Sequence, residues 1–299
     1  MIKGIKVRLR SKILCIATLA FASAGLIFSH GSMKNRQKIY SDADKSKQIP
    51  VINLRENNKV AVTRKDGTKI VIGYSKIILD PVKINIELYH GWNREIEANK
   101  DLEALAFISG PTFEVLNTDN KLGYTPHGDL KLANGVFYSK NRAAADSRAY
   151  IGINKSGEVY FGYGSVPIDS LRYFKVFIGG VHMLTNHSVP KPPSYRGVYK
   201  EMKLSDVRIV YAWTEDGGLE VLETDDGVYF DDLLRMVELL GYKAAYLPDH
   251  ASKSRLIIPG KRLWSEAKAN WVSGGRPSIT QMPMLLRVTD GSKAHKAKH

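Results

Sequence analysis

Residues 207–228 read VRIVYAWTEDGGLEVLETDDGV. Two apolar runs rich in β-branched and aromatic residues, VRIVYAW and LEVLET, are separated by Asp216, Gly217 and Gly218 and closed by Asp225, Asp226 and Gly227. That pattern makes two strands joined by a tight turn, with the Glu223, Asp225, Asp226 cluster as a second turn. The period then changes. Over 229–241, Phe230, Leu233, Leu234, Met236, Val237 and Leu240 share one helical face. Asp231 and Asp232 suit the positive end of that helix, and Gly241 ends it. The apolar runs KAAYLP and RLIIPG (255–260) follow. Strand, turn, strand, helix and strand in this order predict sheets that carry few helices.

The rest of the chain repeats the theme. VINL (51–54), KVAVTR (59–64), KIVIGY (69–74) and VKINIELYH (82–90) open it, and AFISG, VFYS, RAYIGI, EVYFGYG and YFKVFIGG continue it between turn residues. A short helix is expected around 94–105, where Ile96, Leu102 and Leu105 sit among charges. No repeat of fixed period appears. The expected fold class is α+β, with mixed or antiparallel β-sheets, few flanking helices and one main domain at 51–265. The segment 266–299, with NWVSGGRPS and QMPMLLRV, reads as either a closing strand or a surface extension that ends in a basic tail.

The chain has 299 residues, 43% hydrophobic and 25% charged, which excludes collagen-like, coiled-coil and wholly disordered classes. Its net charge of +14 invites a nucleic-acid reading. The distribution removes it: residues 1–65 hold 14 basic and three acidic side chains, whereas residues 66–289 hold 27 and 26. A nearly neutral body argues against a nucleic-acid partner. In the leader, Lys3, Lys6, Arg8, Arg10 and Lys12 precede the uncharged run ILCIATLAFASAGLIF at 13–28. This is a signal peptide, cleaved near Ala22, Ser23 and Ala24, or a membrane anchor if uncleaved, and either puts the body outside the cytoplasm. Residues 29–50 read as a basic flexible linker. Cys15 is the single cysteine, so the mature chain gains no disulfide.

HExxH, paired CxxC, GxxxxGK[ST] and GxSxG are all absent, which disfavours zincins, zinc fingers, P-loop NTPases and α/β-hydrolases. His182 and His187 are a weak metal pair, more simply two unrelated histidines, and neither a metal nor another cofactor follows from the sequence. What informs is the order of blocks: AFISGPTF (106–113), TPHG (125–128), RAYIGINKSGEVYFG (148–162), FIGGVHMLTNH (177–187), VRIVYAWTEDGGLEVLETDDGV and GYKAAYLPDHASKSRLIIPG (241–260). Over about half the chain this order resembles the phosphodiester glycosidase family, whose members include bacterial proteins linked to exopolysaccharide synthesis.

The resemblance implies an exported hydrolase that cleaves a sugar from a sugar phosphodiester or related envelope glycan; its alternative is a non-catalytic polysaccharide-binding protein on the same fold. It places the family's Asn-Gly turn on Ser109 and Gly110, with a hydroxyl in place of the amide and Phe113 beyond. It places the Pro-x-Gly on Pro126 and Gly128, the doubled glycine on Gly179 and Gly180, and the arginine on Arg208. The family's glycine-rich Leu-Asp-Gly loop falls on LPDHASKS, which keeps Leu247, Asp249 and Ser254 but inserts Pro248 and has His250 and Ala251 where glycines are expected. The implied catalytic residues are Asp249 and Arg208, and the implied substrate-binding residues are Ser109, Gly110, Gly179, Gly180, His182, Ser252 and Ser254. Chemistry agrees with such a set. A phosphate leaving group is far less basic than a sugar alkoxide, so one carboxylate and a bidentate arginine suffice where most glycosidases use two carboxylates. The plainer readings are that Arg208 is an ion-paired strand residue and Asp249 a turn residue.

Overall fold

The computed structural model describes residues 37–40, 50–118, 121–192, 205–213, 218–248, 255–265, 271–273, 276–278 and 283–292. Strand β1 (Gln37–Tyr40) is followed by the hairpin of β2 (Ile52–Thr63) and β3 (Lys69–Leu79), then β4 (Ile84–His90), the one-turn helix α1 (Glu95–Ala98) and β5 (Ala106–Ser109). Next come β6 (Phe113–Thr118), β7 (Lys121–Pro126), β8 (Leu130–Leu132), β9 (Gly135–Phe137), helix α2 (Arg142–Ser147), β10 (Ala149–Asn154) and β11 (Val159–Tyr163). After a 3-10 turn at Ile168–Tyr173 the chain forms β12 (Phe174–Asn186), β13 (Ile209–Trp213) and β14 (Leu219–Thr224). Helix α3 (Phe230–Leu239), β15 (Ala244–Leu247), β16 (Leu256–Ile257), β17 (Trp271–Ser273), β18 (Arg276–Ser278) and β19 (Met284–Asp290) complete it.

A large sheet runs β1-β11-β10-β12-β15-β13-β14-β3-β2, with β8 joined to β12 and β9 to β8. A second sheet runs β16-β5-β19-β4, and β6-β7 and β17-β18 form separate hairpins. The ladders joining neighbours in the large sheet are antiparallel, as are those of the second sheet. Side chains alternate across a strand, so each face of the large sheet has its own apolar set. Ile209, Tyr211 and Trp213 of β13 face the core between the sheets, with Ile86, Ile108 and Leu286 from the second sheet. Val210 and Ala212 face the other way, into a core closed by Phe230, Leu233, Met236 and Val237 of α3. Leu233, Met236 and Val237 are fully buried there, each worth about 1.5–3 kcal/mol of apolar transfer.

The helix lies where the apolar period puts it, and Gly241 beyond it takes φ +72°, open to glycine at no steric cost. Three expectations need correction. The fold is β-rich with few helices rather than clearly α+β. The helix expected over 94–105 stops at Ala98, because the Asp101 carboxylate accepts from the backbone N–H groups of Glu103 and Ala104 and favours a turn instead. Gln37–Tyr40, inside the expected linker, pairs with β11 as an edge strand. Of the two readings of 266–299, Met284–Asp290 takes the closing strand: it lies between β5 and β4, so a chain cut at 265 would lose an inner strand. The leader at 1–28 lies outside the described residues. Among the described residues no helix is long and apolar enough to cross a membrane.

Candidate functional site

Three apolar strand runs open on an arginine, and in each the strand carries that arginine into the interior at one end of the sandwich. Arg208 immediately precedes β13 and is fully buried. Its backbone N–H donates to Thr224 Oγ1 at 2.9 Å, its carbonyl accepts from Thr224 N at 2.9 Å, and its Nε donates to the Val228 carbonyl at 3.3 Å. Desolvation drives the guanidinium down to about 10, with Asp206 and Asp226 pulling back, so it keeps its charge at neutral pH. Asp206, also fully buried, is tied to the turn before α3 by backbone bonds in both directions with Val228.

Arg255 immediately precedes β16 and is 1% exposed. Burial lowers its pKa too, and Glu95, Glu223 and Asp206 act against that. Glu95, from α1, is buried and approaches Arg255 Nε at 3.4 Å. Arg255 and Ser109 are locked together: Ser109 N donates to the Arg255 carbonyl at 3.1 Å, and Arg255 N donates to Ser109 Oγ at 2.7 Å. Tyr211 of the large sheet donates its hydroxyl to the Ser109 carbonyl at 2.6 Å, which ties the two sheets at this level. Gly110 N donates to Met284 O at 2.6 Å, and a Cβ on Gly110 would lie 2.4 Å from that oxygen.

The glycines form the adjoining wall. Gly179 and Gly180 of β12 receive the TPHG loop so closely that a Cβ on Gly128 would lie 2.1 Å from Gly180 N. Gly180 has φ +79°. Thr112, three residues beyond Ser109, donates its hydroxyl to the Gly180 carbonyl at 2.8 Å and receives the guanidinium of Arg148, the residue before β10. His182, two residues past Gly180, is buried and pairs in register with Leu247, the last residue of β15.

The structure thus brings Ser109, Gly110, Gly179, Gly180, His182 and Arg208 to one end of the sandwich, linked through Arg255, Asp206 and Thr112. Asp249, Ser252 and Ser254 lie outside the described residues. What is seen of Ser109 and Gly110 is cross-strand bonding. Arg148, Arg255, Thr112, Asp206 and Glu95 were missed in the sequence. A signal for the arginines exists: RAYIGI and RLIIPG open on an arginine just as VRIVYAW nearly does, and a cation at the head of a buried strand needs a partner. Among the described residues no group of three or more His, Cys, Asp or Glu could hold a metal. A separate open groove of about 660 Å³ lies between the β2–β3 turn and the start of α3, lined by Arg64, Asp66, Tyr229 and Asp232 among others. Arg64 already grips Asp232 there through three hydrogen bonds of 2.7–3.1 Å, and none of the site residues reaches it.

No family model and no curated protein matches the chain. Among solved structures it is similar to the catalytic domain of zebrafish N-acetylglucosamine-1-phosphodiester alpha-N-acetylglucosaminidase, auto-inhibited by its pro-peptide. The identity is 16% and the TM-score 0.60, over 85% of this chain and 88% of that one. A hypothetical protein from Synechocystis is similar at 9% identity and a TM-score of 0.44, over 77% of this chain and 61% of that one. The first likeness establishes a shared fold with a glycosidase catalytic domain.

Proposed function

We propose that this chain acts on a sugar phosphodiester or related envelope glycan at the arginine-lined end of the sandwich, as a hydrolase. The observation that carries the reading is that the buried Arg208 and Arg255 both act on one buried carboxylate, Asp206, on a fold shared with a glycosidase catalytic domain. A buried guanidinium presents a planar fork suited to a phosphate, in a setting where water competes little. Asp249 follows Leu247 by two residues. In the proposed reaction it takes a proton from water as that water attacks the anomeric carbon; the bond from that carbon to the phosphate oxygen breaks, and the phosphate leaves as an anion already held by arginine. Ser252, Ser254, His182 and the glycine wall hold the sugar.

A specific observation favours a second reading, binding without turnover: LPDHASKS has Pro248, His250 and Ala251 where close backbone approach to a phosphate is easiest for glycine. One experiment separates the two. The purified chain is incubated with UDP-N-acetylglucosamine, and free sugar and bound ligand are both measured. Hydrolysis that disappears in Asp249→Asn and falls at least tenfold in Arg208→Lys supports the enzyme. Binding without release supports the second reading, and neither binding nor release rejects both. We also propose that the body works outside the cytoplasm, behind the basic leader.

A further inference from the structure

The base of the β6–β7 hairpin holds a polar chain that carries more than packing. Thr112 is buried, and its hydroxyl meets three groups: the Gly180 carbonyl at 2.8 Å, His127 Nδ1 at 3.0 Å and the Arg148 guanidinium. A hydroxyl has one hydrogen and two acceptor sites. The carbonyl can only accept and the guanidinium can only donate, so the one hydrogen goes to Gly180 and His127 Nδ1 must be a donor. The other ring nitrogen, Nε2, faces Glu114 Oε1 at 3.3 Å. A bare nitrogen lone pair against a carboxylate is repulsive, so this contact is attractive only with a proton between the two atoms.

Glu114 is itself aimed. Asn141 accepts from Ala144 N at 3.0 Å as the N-cap of α2, which fixes its oxygen, so its amide nitrogen is the group that donates to Glu114 Oε1. Both contacts use Oε1, on a side chain that is 37% exposed. Oε2 therefore stays available on the side away from the ring.

We infer that His127 and Glu114 are a proton-sharing acid–base pair in the wall of the candidate site, with His127 held doubly protonated from behind by Thr112 and Glu114 offering Oε2 to a hydroxyl of a bound sugar. The ligand half of this rests on the reading under Proposed function, and the proton-sharing half does not. The groups around the ring pull in both directions. Glu114 on β6 favours the extra proton, whereas Arg148, on the far side of the Thr112 hydroxyl, opposes it. Asp129, two residues along, is engaged by Arg142 at 2.6 and 2.9 Å, and Ser139 donates to the His127 carbonyl at 3.0 Å, orienting the loop without titrating.

The test is nitrogen-15 NMR of the full chain with labelled histidine between pH 5 and 9, the His127 signals being assigned by their loss in His127→Gln. The expected result is a His127 midpoint well above the ordinary value of about 6.5, lowered by about one unit or more in Glu114→Gln. A midpoint at or below that ordinary value, unmoved by Glu114→Gln, overturns the pair. Binding of UDP-N-acetylglucosamine is then compared in wild type and Glu114→Gln, with circular dichroism confirming equal folding. At least tenfold weaker binding in the variant supports the sugar contact, and equal binding overturns it. If the midpoint moves as expected but the wild type does not bind the probe, the glycan reading falls and the proton-sharing pair stands.

Discussion

Gly180 shows how little freedom the site's frame has, combining φ +79° with a would-be Cβ only 2.6 Å from Gly128 N. An alanine there meets the left-handed penalty of about 1–2 kcal/mol and a backbone clash that no rotamer relieves. Gly180→Ala is expected to destabilise by at least about 2 kcal/mol, read as a lower urea midpoint, while Gly67→Ala, with φ +85° but open space around it, shows the left-handed cost alone. Equal losses at the two positions would contradict the close approach. Glu223 makes a different point. Burial raises its carboxyl above the ordinary value of 4.5, and Arg262, at 2.5 Å, pulls it back only in part. The folded chain then holds that proton to higher pH than the unfolded chain, so this group's contribution to stability falls as pH rises from 4.5 through the raised value. Glu223→Gln has no such titration. Urea midpoints from pH 4 to 8 are expected to lose that downward component in the variant; an unchanged pH profile would show that Glu223 does not titrate differently on folding.

At the scale of elements, β19 is the strand on which the second sheet depends. It pairs with β4 over seven residues and with β5 over four, and its Leu285, Leu286 and Val288 are fully buried. Without it β4 and β5 face each other across a gap, each with an unpaired edge, and the core between the sheets loses one wall. A chain ending at residue 265 is expected to lose the cooperative thermal transition of the full-length protein, followed by circular dichroism. Retention of that transition at an unchanged midpoint would show that the strand is dispensable. The same strand holds Gly110 through Met284 O, so its loss also unpins the turn that leads to Thr112.

For the whole molecule, the placement of charge decides what it meets. The excess of basic residues lies in 1–65 and in the last ten residues, and the stretch between is close to neutral. Within that stretch several arginines are spent on carboxylates: Arg94 on Glu97, Arg142 on Asp129, Arg262 on Glu223, Arg287 on Asp101 and Glu87. The chain trimmed of residues 1–35 and 293–299 is therefore expected to bind duplex DNA no better than a neutral control at physiological salt. Tight binding that falls steeply with added salt would reverse the assignment of partners. A reporter active only outside the cytoplasm, joined after Met33, is expected to be active; silence of that reporter, with a cytoplasmic one active at the same position, would reverse the proposed location.

The two strands and the helix read over 207–241 were legible because hydrophobic period is a local property: Phe230–Leu239 forms where its apolar face predicts, and Gly241 stops it. The turn read at 214–217 lies outside the described residues. The glycine wall and Arg208 were also legible, though only as members of an ordered series of blocks. What the sequence could not determine is which blocks meet. Arg148, Arg255 and Glu95 are far apart along the chain from Arg208, and nothing local distinguishes a surface arginine from one carried inside. Their burial follows from strand order, which sets β5 against β16 and β19 and lets the Tyr211 hydroxyl reach across to Ser109. The inner place of β19 has the same origin. A strand closing a sheet and a strand lying on a surface have the same alternation, and only the partners available on both sides decide between them, because it is the paired backbone and the buried face that make the inner position stable.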